Sequence, residues 1–416
     1  MTSANKKILL KNCHLINKKY DGLLTEYYIL IEDNIITEVS NKNISTDSNT
    51  TVIDVNGKTV MPGLIDAHIH VTSPSLNLMT DKYSESYMAI QASINLEKIL
   101  QRGFTSIRDA GGELYGVAEA VKQSMIKSPR LFYSGRALSQ TGGHGDFRYA
   151  SAPYMPCGCC HSGSIVSRIA DGITEVRKAV RDELRKGATQ IKIMASGGVA
   201  SPSDSVWDLQ YSEEELKIIV EEAAAKQTYV MAHVFSPEGI RRCVKAGIRS
   251  IEHGFLLDDA SAKLMADHDV FLVPTFSIVD FFDKNAKALG ISQTNIDKLN
   301  AVKEASNAAF KHAKKRGVKI GFGSDVFGEA LDTQSNEFLL RASHESNGDV
   351  IRSATEVNAE LMQQKGKLGV ISSGAYADII AVNGNPLEDI HLLVGQGESI
   401  DLIIKDGVVY KNNLKK

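Results

Sequence analysis

The fold is decided by residues 60–71, which read Val60-Met-Pro-Gly-Leu-Ile-Asp-Ala-His-Ile-His-Val71. This run predicts an apolar β-strand with two histidines near its carboxyl end. Because His68 and His70 are two residues apart, their side chains point to the same face of a strand. Two neighbouring imidazoles at the end of a strand form half of a metal site. The stretch therefore indicates a strand that carries metal ligands.

Similar apolar runs alternate with longer amphipathic helical stretches from about residue 60 to residue 330. This alternation predicts a parallel sheet, and eight strands predict its closure into a (β/α)8 TIM barrel, an α/β fold. The eight predicted strands are Val60–Val71, Thr105–Asp109, Leu131–Ser134, Gln190–Ala195, Tyr229–Val234, Ser250–Phe255, Phe271–Phe276 and Lys319–Asp325.

Glycine marks the ends of four predicted helices, and a strand follows each at once. A left-handed glycine can stop a helix. The four dipeptides are Arg102-Gly103, Lys186-Gly187, Ala246-Gly247 and Arg316-Gly317. The strands that follow them end in side chains able to do chemistry, namely Asp109, Lys192, His253 and Asp325. Barrels build their active sites at the carboxyl ends of the strands, so fold and site predictions agree.

Both ends of the chain are rich in strand-like runs. Residues 28–39 read as a hairpin with its turn at Asp33-Asn34, and residues 377–382 and 401–410 are also strand-like. We expect the two ends, residues 1–61 and 364–416, to pair into one small sheet domain. The barrel would then occupy residues 62–363.

Composition excludes several classes of protein. The 416 residues carry a net charge of -3, with 43% hydrophobic and 23% charged residues, as in ordinary globular enzymes. Nothing in this charge favours nucleic acid or a membrane surface as a partner. No apolar run approaches the roughly 20 residues that cross a bilayer, and the N-terminus lacks a signal-peptide core. A cytoplasmic location is the expectation.

Three of the five cysteines cluster in Cys157-Gly-Cys-Cys-His161, with Cys13 and Cys243 elsewhere. A structural zinc site usually needs a second pair of ligands, and none lies near in the sequence. Reduced thiols in a long loop are favoured over a zinc knuckle, with a local disulfide as a further alternative.

Four more potential ligands end apolar strands downstream: Lys192, His233, His253 and Asp325. Each histidine alone could be a core residue, but together with the first pair they indicate a metallohydrolase. Lys192, flanked by isoleucines on a barrel strand, should point inward, where an unpaired ammonium is costly. A lowered pKa or conversion to a carbamate would remove that cost. Asp325 can bind a metal ion and accept a proton.

The chain resembles the amidohydrolase superfamily, in the branch with a binuclear metal centre that contains prolidase-like dipeptidases, carboxypeptidases and ochratoxinase. Imidazolonepropionase is a more distant resemblance. The segments that carry it are Pro62-Gly-Leu-Ile-Asp-Ala-His-Ile-His70, Ser139-Gln-Thr-Gly-Gly-His-Gly-Asp146, Ile191-Lys-Ile-Met-Ala-Ser-Gly-Gly-Val199, Ile251-Glu-His-Gly254 and Gly323-Ser-Asp325. The resemblance runs through nearly the whole chain and implies that the two ends form a composite β-sandwich.

This resemblance also implies a ligand set for two divalent metal ions, with zinc as the expected metal. His68, His70 and Asp325 would hold the more buried ion. His233 and His253 would hold the second, while a carboxylated Lys192 and a hydroxide bridge both.

By the same resemblance, Asp325 would move the proton of that hydroxide to the leaving amine. His144 would contact the oxygen of the tetrahedral intermediate, and Tyr211 would touch the substrate. The alternatives are a histidine that structures its loop and a tyrosine packed at the start of a helix.

The resemblance implies zinc-dependent hydrolysis of a C-terminal peptide or N-acyl amino acid amide bond by the metal-bridging hydroxide. The substrate would be a small molecule, and relatives suggest a homo-oligomer. One alternative is a cyclic amide hydrolase of the imidazolonepropionase type, which Lys192 disfavours. The other is a non-catalytic barrel relative, which the complete ligand set disfavours. The side chains preferred on either side of the scissile bond cannot be read from the sequence.

Overall fold

The computed structural model describes residues 6–76, 83–148, 166–201 and 204–414. The cluster Cys157, Cys159, Cys160 and His161 lies outside these residues. The strands are β1 (Lys7–Ile16), β2 (Leu23–Glu32), β3 (Ile35–Ser40), β4 (Thr50–Asp54), β5 (Thr59–Pro62), β6 (Leu64–Ile69), β7 (Phe104–Asp109), β8 (Arg130–Tyr133), β9 (Ala137–Ser139), β10 (Ser167–Ile169), β11 (Ile191–Met194), β12 (Val230–Val234), β13 (Ser250–His253), β14 (Phe271–Val273), β15 (Ile379–Val382), β16 (Ile400–Lys405) and β17 (Val408–Asn412).

The α-helices are α1 (Glu85–Gln101), α2 (Tyr115–Lys122), α3 (Gly172–Arg185), α4 (Glu213–Ala225), α5 (Pro237–Ala246), α6 (Asp259–Asp267), α7 (Phe276–Asn285), α8 (Gln293–Arg316), α9 (Asn336–Ala342), α10 (Asn347–Arg352) and α11 (Asn358–Leu361). Short 3-10 helices cover Gly328–Thr333 and Ile390–Leu393, and a π-helical turn covers Ser353–Val357. No helix among the described residues is long and apolar enough to cross a membrane.

Two parallel sheets carry the predicted metal ligands. One has the order β6-β7-β8, and the other has the order β10-β9-β11-β12-β13-β14. Helices alternate with these strands, which confirms the α/β class. Residues 319–322 run between the two sheets, since Leu272 N donates to Lys319 O at 2.9 Å and Ala67 N donates to Phe322 O at 2.9 Å. Closure of eight strands into one barrel stays a prediction.

Both ends of the chain meet in a third, mixed sheet. Its order is β17-β16-β15-β5-β1-β2-β3, with β4 paired to β1. The ends join where β5 runs antiparallel to β15, with Met61 opposite Ile380. The pairing of the two ends agrees with the sequence, whereas a two-layered sandwich and the domain boundaries remain predictions.

The four glycines predicted to stop helices all have positive φ. The values are 87° at Gly103, 93° at Gly187, 91° at Gly247 and 72° at Gly317. Gly247 and Gly317 are the left-handed C-cap residues of α5 and α8. Glycine adopts this conformation without the steric cost that a Cβ brings. Each helix therefore ends where the sequence predicts.

Two predicted strands differ from the structure. Residues 60–71 form β5 and β6 in different sheets, because Gly63 N donates to Asp378 O at 2.9 Å and turns the chain from one sheet to the other. Residues 319–325 carry a single isolated bridge, between Ile320 and Leu272. The left-handed backbone of Asp325, with φ of 55°, ends extended structure there.

Replacing Gly63 with alanine should destabilise the protein, because the added Cβ would overlap Thr105 Oγ1 and lie 2.7 Å from Thr105 Cβ. Overpacking of this kind costs about 1–3 kcal/mol. Gly116→Ala is the matched control, since nothing lies within 4 Å of its added Cβ. Chemical denaturation should show a lower midpoint for Gly63→Ala only. Equal midpoints in the two variants would contradict the tight junction between β5 and β6.

Candidate metal centre

The six predicted ligands converge at the carboxyl ends of the parallel strands. His68 lies on β6, Lys192 on β11, His233 on β12 and His253 at the end of β13. His70 directly follows β6, and Asp325 follows the bridge to β14. Strands that run in parallel bring their carboxyl ends to one edge. All six residues line a single cavity together with His144.

Asp325 is the centre of this cluster. Its Oδ1 lies 3.3 Å from His68 Nε2 and 3.1 Å from His70 Nε2, and its Oδ2 lies 3.9 Å from His253 Nδ1. His68, His253 and Asp325 each offer one ligand atom, and these atoms lie within 4.8 Å of one another. One cation could therefore contact several of these groups at once.

Lys192 and His233 extend the cluster beyond this core. Lys192 Nζ lies 3.5 Å from His68 Nε2. The His233 ring centroid lies 4.6 Å from that of His253, and His233 Nε2 lies 3.3 Å from Gly197 O. Because Nε2 of His233 faces a carbonyl, its Nδ1 is the nitrogen left to bind a cation.

The protonation states of four ligands fit divalent metal ions. Burial lowers the pKa of both His233 and His253 well below the usual value, so both imidazoles keep a free lone pair. Burial also lowers the pKa of Lys192 to about 8. Burial acts to raise the pKa of Asp325, but the nearby histidines outweigh it and hold that pKa well below its usual range. Neutral imidazoles and an anionic carboxylate are the forms that bind metals.

His70 behaves differently, because its contact with the Asp325 carboxylate outweighs burial and raises its pKa. A proton on His70 and a metal ion would compete for the same position beside Asp325. The imidazole and carboxylate donors of this cavity as a whole fit a divalent cation.

Glu252 fixes the orientation of the His68 ring. Its Oε2 lies 2.7 Å from His68 Nδ1, which leaves His68 Nε2 facing Asp325. Its Oε1 accepts a hydrogen bond at 2.9 Å from Arg108, which is fully buried on β7. Burial acts to raise the pKa of Glu252, but Arg108 and His68 lower it to about 2. Partners of this kind fix the orientation of metal-binding histidines.

Sequence reasoning missed Glu252 and Arg108 as parts of the site. Glu252 directly precedes His253, and alternation on a strand would send the two side chains to opposite faces. The φ of 70° at His253 breaks this alternation, so both side chains approach His68. A glutamate inside an apolar strand, next to a candidate ligand, was the available signal.

Two buried aspartates hold the backbone around the ligands. Asp66 accepts hydrogen bonds from His68 N at 3.0 Å, from the Ser324 hydroxyl at 2.6 Å and from Gln334 Nε2 at 3.0 Å. It therefore ties β6 to the segment that carries Asp325. Asp109, which the sequence analysis placed at a strand end, accepts from Val71 N at 2.8 Å. Asp109 thus fixes the chain next to His70, and burial raises its pKa to about 6.

His144 lies against the cluster. Its ring stacks on that of His233, with centroids 4.3 Å apart. Its Nδ1 lies 3.3 Å from Asp204 Oδ2, and its backbone N–H donates to Gln210 Oε1 at 2.9 Å. Asp204 is buried and also accepts from Gln210 Nε2 at 3.1 Å. The Nδ1 edge of the imidazole therefore lies towards Asp204, and one face of the ring lies against the ring of His233.

Tyr211 is not among the described residues that line the cavity. Its side chain is buried, and among the described residues its hydroxyl has no hydrogen-bond partner. Its backbone has a φ of 58°, and its N–H donates to Gln140 Oε1 at 2.5 Å. Contact between Tyr211 and a substrate stays a prediction.

Comparisons with known proteins agree with this geometry. A family model described as "Amidohydrolase family" matches residues 59–409. The chain is 34% identical over 374 residues to ochratoxinase from Aspergillus niger, across 85% of this chain and 75% of ochratoxinase.

Solved structures are similar over almost the whole chain. A prolidase complexed with N-methylphosphonate-L-proline superposes with a TM-score of 0.94 at 43% identity, across 98% of this chain and 100% of that chain. A Xaa-Pro dipeptidase with methionine bound in its active site superposes with a TM-score of 0.86 at 32% identity, across 98% and 100% of the two chains.

Glu252→Gln should weaken metal binding about 10- to 100-fold, because His68 loses the charged partner that orients it. The change also leaves buried Arg108 without its counter-ion, and breaking a buried pair costs about 3–5 kcal/mol. Competition with a chelator would measure the affinity, and thermal unfolding would measure the stability. Glu238→Gln, which removes the same charge from a side chain that is 53% exposed, is the control. Folded Glu252→Gln protein with unchanged metal affinity would contradict this role.

Proposed function

Because the chain belongs to the amidohydrolase family and is a metal-dependent hydrolase, we propose that it hydrolyses a C-terminal peptide bond, as a dipeptidase or carboxypeptidase does, or the amide bond of an N-acyl amino acid. The observation that carries this proposal is the convergence of six potential ligands and His144 in one cavity. The prolidase and dipeptidase relatives favour a small peptide substrate. The proposed framework is the closed (β/α)8 barrel, with a β-sandwich formed by the chain ends.

We propose that the cluster binds two divalent metal ions, with zinc as the expected metal. His68, His70 and Asp325 would hold one ion, His233 and His253 would hold the other, and a carboxylated Lys192 would bridge them. When bound, the ions supply an activated water and polarise the scissile carbonyl. Formation of the carbamate needs a neutral amine, which joins carbon dioxide through a new N–C bond and releases a proton. The lowered pKa of Lys192 supports this step.

Asp325 is the one carboxylate among the described residues that line the cavity. Its side chain is 15% exposed, so it can reach a substrate. We propose that Asp325 Oδ2 accepts the proton of the attacking water and passes it to the leaving nitrogen. The C–N bond then breaks to give a carboxylic acid and an amine, Asp325 returns to its anionic form, and the new acid loses its remaining proton to solvent.

His144 is the proposed donor to the carbonyl oxygen, on which negative charge develops. Asp204 Oδ2 lies on the Nδ1 side of the ring, 3.3 Å from Nδ1, so the Nε2 side is left for the substrate. A donor fixed in this way needs no reorientation during the reaction. Tyr211 is kept as a candidate substrate contact. The cytoplasmic location and the homo-oligomer also remain predictions from the sequence.

Prolyl dipeptides are the first substrates to test. A phosphonate on the proline nitrogen has the tetrahedral shape that an amide carbon acquires when water adds to it. The relative bound to that compound therefore favours cleavage at a prolyl nitrogen here. N-acyl amino acids belong in the same screen, because they present the same amide next to a free carboxylate.

The purified protein should contain about two metal ions per chain, as bridged binuclear sites do. Lys192→Ala should lower this content sharply and abolish hydrolysis, because the shared ligand is lost. Elemental analysis and a dipeptide assay are the measurements. Lys122→Ala, on a side chain that is 80% exposed, is the control. One ion per chain, unchanged by Lys192→Ala, would exclude the carbamate bridge and favour the cyclic amide alternative.

His144→Asn should reduce kcat about 100- to 1,000-fold, the usual effect of losing one donor to a developing oxyanion. Asp204→Asn should reduce kcat by a smaller factor with little change in KM, because it acts through His144. The double variant should be no slower than His144→Asn, since residues that act as one unit are not additive. Multiplicative losses of kcat in the double variant would show that Asp204 does not position His144.

A further inference from the structure

The cavity is apolar wherever it is not metal-binding. Apart from the six predicted ligands and His144, every described residue that lines it is apolar. One group of these residues, named the apolar wall, comes from the segments that directly follow β12 and β13 and from helices α7 and α8. Its members are Phe235, Phe255, Ile278, Val279, Phe282, Leu299 and Val302.

This wall starts directly beside two of the ligands. The Phe235 ring centroid lies 4.7 Å from that of His233 and 5.4 Å from that of His253. The Phe255 ring centroid lies 6.0 Å from that of His253. A substrate whose amide bond lies over the cluster would therefore place a neighbouring side chain against the wall.

The two helices that complete the wall are held in place. Glu337 on α9 accepts a hydrogen bond at 2.7 Å from Ser277 N in the first turn of α7. Phe276 of α7 and Phe310 of α8 pack with their ring centroids 5.7 Å apart. The wall is thus built before a substrate arrives, and binding need not order it.

Two charged residues next to wall residues on α7 and α8 are already paired. Lys298 precedes Leu299 on α8, but its ammonium donates to Ser201 O at 2.9 Å and to Gly198 O at 3.3 Å. It also lies 3.7 Å from Asp204. On α7, Asp280 pairs with Lys284 at 2.7 Å. A charged substrate side chain at the wall would lose its hydration without gaining a counter-ion from these described groups.

We propose that the apolar wall makes the enzyme selective for an uncharged, apolar residue, such as leucine, methionine or phenylalanine, on one side of the scissile bond. This inference rests on the proposed amide hydrolysis and names its substrate class. Each methylene that fits an apolar pocket changes kcat/KM about 10- to 200-fold. Charged residues of similar size lose that gain and also carry the cost of desolvation.

Substrates matched in shape test the proposal with the metal-loaded protein. Two substrate series compare methionine, glutamine, glutamate and lysine. In the first series each residue precedes proline in a dipeptide, and in the second each is supplied as its N-acetyl derivative. At one of the two positions, kcat/KM for methionine should exceed that for glutamate and for lysine by roughly 100-fold or more. Values within about tenfold of each other at both positions would overturn the selectivity. If no amide in either series is hydrolysed, the proposed function itself fails.

A charge placed on the wall should redirect this preference. Phe282 is partly exposed, so Phe282→Lys can keep its ammonium in water while facing the cavity. In this variant, the ratio of kcat/KM for the glutamate substrate to kcat/KM for the methionine substrate should rise at least about tenfold, because opposite charges attract. Val279 is also partly exposed, and Val279→Asp should raise kcat/KM for the lysine substrate relative to methionine for the same reason.

Leu289→Lys is the control, since it adds the same charge to an exposed residue that does not line the cavity. It should leave the methionine-to-glutamate ratio unchanged. Thermal unfolding of each variant identifies any that no longer folds. Phe282→Lys and Val279→Asp add opposite charges, so each tests the contact between wall and substrate independently. If the folded wall variants keep the ratios of the unaltered protein, the wall does not contact the substrate side chain.

Discussion

The buried contacts of Glu252 with Arg108 and with His68 are the constraint on which the rest of the site depends. All three side chains are fully buried, and their contacts with one another compensate for lost water. They come from β7, β13 and β6, so a shift of any one strand would leave a buried charge without its partner. The register of the two parallel sheets and the orientation of His68 are therefore fixed together.

Two of the candidate ligands also have a strained backbone. His253 and Asp325 both have left-handed backbones, which cost non-glycine residues of order 1–3 kcal/mol. Their surroundings hold them there: His253 Nδ1 lies 2.8 Å from Thr275 Oγ1, and Asp325 N donates to His68 O at 2.7 Å. The turn at His253 lets Glu252 and His253 serve the same site. The strain is therefore part of the arrangement that brings the candidate ligands together.

The sequence predicted the part of the site that depends on strand ends. His68, His233 and Asp325 each lie at or just after the end of an apolar run, and parallel strands bring such ends together whatever the loop lengths. Lys192 lies within its run, between Ile191 and Ile193 on β11. Glu252 was missed because its role depends on the φ of His253, which no pattern of residue types reveals. The division of residues 60–71 between two sheets was missed for a similar reason. It depends on the hydrogen bond from Gly63 to Asp378, a residue far along the chain.

The apolar wall and the charged cluster act on each other. Side chains such as Phe235 and Phe255 exclude water from His233 and His253, and this exclusion keeps the two imidazoles neutral. The same exclusion strengthens every charge interaction around Asp325, because the local dielectric falls. A more polar wall would admit charged substrates, but it would also weaken the fields that prepare the ligands. The proposed selectivity for apolar residues thus follows from the same lining that lowers the pKa of His233 and His253.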